Sequence, residues 1–558
     1  MTKKSLSLLL AVASCLSYHN ASFAQNNCTQ GTAHLELNVG NVRTQINNGG
    51  DLWRDAITSE PKYEFPKVAV GSGQTPVHAI YAGGLWLGAL DDAGAFRVAA
   101  STYRQSGVDF FPGTIAADGS TSDCSYFDRL WEVHRADIDA HVSDFAGDGT
   151  INAPIAAIME WPGRNNPALL ANPDFPQDHD LAPFIDLNAN GNYEPLLGDY
   201  PDVPGDQAIW CVFNDAGNVH GETGGQALDA EIHQLAYAFA AGGTLGNTTF
   251  YRYTITNRSN STWHNFKQGI FVDGDLGRYT DDFVGCDVSR NMGIYYNGDG
   301  NDEGGYGTNI PLLGIKFLYN TNLNSMVYYN NDFGITGNPA NAADYYDYLK
   351  GHWKDGSTMT YGATGTVATN TPYSYMFPSD PSLPAGSIDP NTGLPAWSEC
   401  SQGNTPGDRR MLLTNTLNNV PVGGTTRIDF AVIAVRDNVV YPCPSFAPLQ
   451  SAADEIQSLF DDQLQQLGTG IHTVKNGVSP QPTLLYDATQ HQNVLHFDAT
   501  PTLPYQVQIS NVNGQTVASY RNQSTQNLGI EQNNLPNGIY FYHVSNAQGK
   551  VATGKMVW

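Results

Sequence analysis

The stretch NTTFYRYTITNRSNSTWHNFKQGIFVDGD, residues 247–275, alternates side chains in a way only extended backbone can use. Phe250, Tyr251, Tyr253, Ile255, Ile270 and Phe271 supply apolar and aromatic content on either side of an Asn/Ser turn, so two antiparallel strands are expected. The same signature recurs from Thr32 to Arg104, in AHLELNVGNVRTQINNGG, AIYAGGLWLG and FRVAASTYR, with Gly, Asn and Asp punctuating the runs. TTRIDFAVIAVRD adds a buried strand at Ile428 to Val435. With 57 Gly, 31 Pro and 29 Tyr against 15% charged residues, the chain favours short strands and many turns. A mainly β, multi-domain β-sandwich protein with long loops is the expectation. Phe145–Glu222 is rich in Pro, Asp and Gly and reads as extended loops, and 320–398 carries little pattern. One short helix is expected near 448–466, where Leu449, Ala452, Ala453, Ile456, Leu459 and Phe460 fall on one stripe behind Pro448.

Length and punctuation suggest residues 25–225 as an N-terminal β-rich region, 226–467 as a central sandwich, 468–483 as a linker and 484–558 as a last domain. Residues 1–24 read as a secretory signal: Lys3 and Lys4, an apolar run from Leu6 to Ala13, and Ser22-Phe23-Ala24 before Gln25. Val12-Ala13-Ser14-Cys15 offers a rival lipoprotein-type cut. No later apolar run reaches the roughly 18 residues that span a bilayer. An exported chain should form disulfides among Cys28, Cys124, Cys211, Cys286, Cys400 and Cys443, whose scattered spacing fits no zinc site and leaves the pairing open. The formal charge of -27 argues against nucleic acid and anionic lipid as partners.

The last 75 or so residues offer strands at Val494–Phe497, Tyr505–Ser510, Thr516–Tyr520, Ile539–Val544 and Ala552–Trp558, separated by NVNGQ, LPNG and NAQGK turns, which make a compact immunoglobulin-like sandwich. Ile509-Ser510-Asn511-Val512-Asn513-Gly514-Gln515-Thr516-Val517, Leu535-Pro536-Asn537-Gly538-Ile539-Tyr540, Gly549-Lys550 and Lys555-Met556-Val557 resemble the three blocks of the type IX secretion system C-terminal sorting domain, type A. LLYDATQHQNVLHF stands where that family often has Pro-Asn-Pro, which blurs the cleavage boundary. The resemblance implies Sec export, passage through the outer-membrane type IX translocon, removal of the domain by its C-terminal signal peptidase, and an extracellular or cell-surface location. NVRTQINNGGDLW, IYAGGLWLGALD, FRVAASTYRQSGVDFFPG, VDGDLGRYTDDFVGCD and GDRRML also resemble large secreted proteins that carry the same domain and have no established activity.

DLNANGNYEPLLGDYPD places Asp186, Asn188, Asn190, Asn192 and Glu194 at alternate positions around Gly191, with Asp199 able to close the shell. Oxygen ligands at that spacing suit Ca²⁺, although Leu197 stands where an EF-hand loop has its bidentate acid; an Asx-rich turn is the other reading. VDGDLGRYTDDFVGCD gathers Asp273, Asp275, Asp281, Asp282 and Asp287, which must be solvated, protonated or bridged by a cation. NGDGNDEGG repeats the theme with Asn297, Asp299, Asn301 and Asp302. His220-x-Glu222 and Glu231-x-His233 pair metal-capable groups at a spacing that also arises by chance. Trp53, Trp86, Trp131, Trp161, Trp263 and Trp353 could stack on sugars or fill the core. No nucleophile elbow, HExxH or phosphate-binding glycine loop is present. The expected role is therefore non-enzymatic and calcium-stabilised, in adhesion, surface structure or glycan binding. The alternative is a secreted hydrolase of polysaccharide or protein that works through the acidic clusters.

Overall fold

The computed structural model describes residues 27–473 except 320 and 367–370, and beyond them 482–487, 492–497, 505–511, 515–525, 527–530, 536, 538–546 and 549–557. The secretory signal with Cys15, half of the 468–483 linker and the tips of the three C-terminal turns lie outside the described residues. The chain divides into two compact units, Met1–His472 and Thr473–Trp558. Among the described residues no helix is long and apolar enough to cross a membrane.

The first unit is built on two large antiparallel sheets. The first runs Ser325–Asn330, Arg409–Val420, Trp263–Asp273, Ala82–Leu90 and then four short strands between Arg43 and Ile80. The second runs Asp282–Asp287, Met292–Asn297, Leu312–Phe317, Thr425–Val435, Thr248–Asn257, Ala230–Ala238, Gln207–Asn214 and Phe111–Pro112. Each sheet takes strands from both sides of position 225, as in the pairing of Gly269 with Trp86 and of Trp210 with Leu235. The expected division between 25–225 and 226–467 therefore does not separate two cores, because strand pairing is long-range and loop composition does not reveal it.

One face of the second sheet packs on the first. Tyr251, Tyr253, Ile255, Phe430 and Val432 join Leu85, Leu87 and Ile270 in one buried cluster, and Trp53 donates Nε1–H to the Tyr251 hydroxyl at 2.8 Å. Its other face, with Phe250, Tyr237, Ala431 and Ile433, packs on the helix Ala447–Leu459 through Leu449, Ala452, Ala453 and Ile456. Successive side chains of a strand point to opposite faces. With both faces covered, Phe250 and Tyr251 can be neighbours and both be buried.

The expected helix is present and continues as a wider, π-type turn at Phe460–Leu464. Among the described residues two further helices of eight residues or more were not expected. Arg135–Asp148 buries only Ile138 and His141, so it carries no apolar stripe to read. Ala342–Leu349 buries Tyr345, Tyr346, Tyr348 and Leu349 against the first sheet. Gly88 permits that contact, since a Cβ there would lie 2.9 Å from Leu349 and 3.0 Å from Tyr346.

All six tryptophans singled out as sugar platforms are buried, at most 4% exposed, so the core reading is the one the fold takes. Disulfides join Cys28 to Cys124 and Cys400 to Cys443, while Cys211 and Cys286 are buried free thiols. The second unit comprises a three-stranded sheet, Pro482–Asp487, Gln492–Phe497 and Asn527–Ile530, and a four-stranded sheet, Thr516–Gln523, Tyr505–Asn511, Ile539–Asn546 and Gly549–Val557. Leu495, Val507, Ile509, Ile530, Val544 and Met556 form its core.

Candidate functional site

A cleft of about 600 Å³ opens beside the end of the strand Trp263–Asp273. Asp273 pairs in register with Arg410 on the neighbouring strand, which brings Asp408 and Asp275, just beyond the two strand ends, to the same place. Tyr103 donates its hydroxyl to Asp273 Oδ2 at 2.6 Å and accepts from Arg410 Nε at 2.6 Å. Arg410 also lies 2.9 Å from Asp408 and 3.4 Å from Asp273. On the far wall Glu222 accepts from Thr102 and, at 2.9 Å, from the Tyr345 hydroxyl. Tyr279 (55% exposed) and Phe333 (90% exposed) stand in the lining as solvent-facing aromatics.

Electrostatics mark this cleft. Burial, and then the charges of Asp273 and Asp408, push Asp275 up to about 9. Burial raises Asp273 to about 6 even with Arg410 beside it, and raises Glu222 as well. Asp282, fully buried, is driven far above the usual carboxylate range by burial and then by Asp275 and Asp281. Asp282 Oδ2 accepts from Leu276 N at 3.1 Å, but Oδ1 has no donor.

Of the five aspartates that the sequence gathers, the fold brings Asp273 and Asp275 together, with Asp282 just behind. Asp281 faces Asn297, Asp299 and Asp302 instead, and burial raises it to about 6. Asp302 is taken up by backbone N–H groups of Arg278 and Tyr306. Asp287 sits at the other end of the strand from Asp282, roughly 16 Å away at the usual rise. It is spent on Ser289, Arg290 and Gln450. Sequence reasoning missed Asp408, Arg410, Tyr103, Tyr279 and Phe333 as site residues; the first two stood in it only within GDRRML, one of the segments that carry the family resemblance.

In the Asp186 loop, Asp186 accepts from Ala189 N and Gly191 N, both at 2.7 Å, and Asp199 accepts from Leu187 N and Glu194 N, both at 2.8 Å. Asn188 and Asn190 donate to Glu194, and Asn192 N donates to Asn190. These bonds shape the loop in the manner of an Asx-turn. Burial raises Asp199 to about 6, with Asp186 and Glu194 adding to the effect.

The two His/Glu pairs fare differently. His220 is buried between the carbonyls of Val98 and Asp215, at 2.9 and 2.7 Å, away from Glu222. His179 and His233 do converge on Glu231 Oε1, at 2.8 and 3.1 Å. The Arg258 guanidinium fills that convergence, 2.8 Å from the same oxygen and 3.2 Å from His179 Nε2, so a cation is already in place.

Residues 491–558 match the family model of the secretion system C-terminal sorting domain. The chain is an exported, mainly β protein that carries a type IX sorting domain at its C-terminal end. It is cargo of the type IX secretion machinery and is delivered to the cell surface or the extracellular space. No curated protein sequence matches the chain. Among solved structures it is similar to a polysaccharide lyase at 8% identity and a TM-score of 0.17, over 58% of this chain and 34% of the lyase. The chain thus spans about a third of that enzyme's length, and a likeness of this size carries no argument about function.

Proposed function

We propose that the exported protein binds a glycan in the cleft between Tyr279, Phe333 and Asp273 and does not cleave it, serving adhesion or surface structure once the signal peptidase of the secretion machinery has removed the sorting domain. The observation that carries this reading is the exposed pair Tyr279 and Phe333 over a floor of carboxylates and Arg410. Large rings left in water offer apolar faces for the C–H surface of a sugar, and charged acceptors and donors beneath them can fix its hydroxyls. A concave site with a few convergent polar groups is the usual form of a small-ligand pocket.

The test is depletion of the purified protein onto a panel of insoluble polysaccharides, with a parallel assay for new reducing ends. Wild-type protein should be depleted by at least one polymer, and a Tyr279→Ala/Phe333→Ala variant should bind it at least tenfold more weakly with no reducing ends released. Undiminished binding by the double variant, or no depletion on any polymer, overturns the reading. Release of reducing ends would transfer the cleft to a hydrolase.

A further inference from the structure

The carboxylate oxygens of Asp273, Asp275 and Asp408 lie within 4.8 Å of one another. That spacing is close to what oxygens sharing one calcium ion have, with bonds of about 2.3–2.6 Å. Three separate places in the chain supply them: a strand end, the turn after it, and the residue before the neighbouring strand. We propose that these three aspartates hold a divalent cation of the calcium type on the floor of the cleft.

An independent observation points to a missing ligand. Asp273 is 1% exposed, and although Oδ2 takes the Tyr103 hydroxyl, Oδ1 has no donor; Asp275 Oδ1 is buried and equally without one. Leaving a buried carboxylate oxygen unpaired is costly, and both residues line the cleft. Charge agrees with the geometry. Among the described residues Arg410 is the cation in ion-pair contact with these groups, so once a bound ion holds all three carboxylates ionised a formal charge of two is left for it to balance. An all-oxygen set without Cys or His selects a hard ion over zinc or copper. Calcium takes six to eight oxygens, and the open cleft leaves the remaining positions to water or to hydroxyls of a bound sugar. The inference concerns the cleft of the glycan reading but stands on the carboxylates alone.

The experiment is a calcium titration of chelator-stripped protein by calorimetry, with no glycan present, and in parallel terbium luminescence sensitised by the tyrosines beside the site. Wild type should bind calcium, and Asp275→Asn and Asp408→Asn should each lower the affinity of that site at least tenfold, whereas Asp186→Asn should leave it unchanged. Calcium should also raise the melting temperature of the stripped wild type and of Asp186→Asn more than that of either cleft variant. Retained binding in both cleft variants, or no calcium or terbium response from wild type, overturns the proposal. Because no sugar is present, a protein that binds calcium but no polysaccharide loses only the glycan reading.

Discussion

Arg252 and Asp429 face each other in register on neighbouring central strands, Nε to Oδ1 at 2.6 Å, with both side chains 1% exposed. Arg427 shares the same carboxylate, and Arg252 also reaches the Leu467 carbonyl beyond the helix Ala447–Leu459. Removing one partner of a buried pair leaves the other charge uncompensated, at a cost of about 3–5 kcal/mol. Asp429→Ala is therefore expected to lower the unfolding free energy by about that amount, read from the denaturant midpoint. A change under about 1 kcal/mol would mean that water reaches the arginines.

Lys316 provides a pH signature. The residue is 3% exposed, and burial pulls its ammonium down to about 8 although Asp454 and Asp287 lie near. The unfolded lysine still binds its proton up to about pH 10.4, so between there and pH 8 the unfolded state holds more protons than the folded one. Stability must then rise with pH across that window. Relative to Lys316→Met, wild type should gain on the order of 3 kcal/mol between pH 7 and pH 10.5. Parallel unfolding profiles of the two proteins would refute the assignment.

The cysteine pattern is countable by mass spectrometry. The native protein should take up no alkylating agent, because burial drives the Cys211 and Cys286 thiols far above their ordinary pKa and shields them from reagent. Unfolding without reductant should expose those two alone, and reduction should release Cys28, Cys124, Cys400 and Cys443. Any other two-stage count would require a different pairing.

Export rests on the second unit. A chain ending at His472 keeps the whole first unit but lacks the matched sorting domain, so it should accumulate behind the outer membrane in a folded, protease-resistant form. Its appearance in the medium or on the cell surface at wild-type levels would show that another route carries the protein.

The sequence was most legible where one rule governs one segment. Residues 248–257 read as a strand because alternation survives even with both faces buried, and the helix after Pro448 read as a helix because its stripe is regular. Ala342–Leu349 was hidden by its three tyrosines, which favour strands in isolation and are helical here because Tyr345 and Tyr346 dock on Trp86 and Phe96. In the cleft, Asp273 and Asp275 were visible as neighbours in the chain. Asp408 was not, because it joins them only through the pairing of Asp273 with Arg410. The cluster's outlier, Asp287, was misleading for the converse reason: nearness along a strand is distance in space.

Thr425–Val435 lies between Thr248–Asn257 and Leu312–Phe317, and Arg409–Val420 between Trp263–Asp273 and Ser325–Asn330. A chain that is made and threaded across a membrane from its N-terminus presents these two strands last, yet both belong inside sheets whose other members are already waiting with open edges. Neither sheet can close until nearly all of the first unit has emerged, and the sorting signal follows directly behind. A polypeptide cut short before residue 409 lacks an interior strand of each sheet as well as the sorting domain, and so is both unclosed and unaddressed.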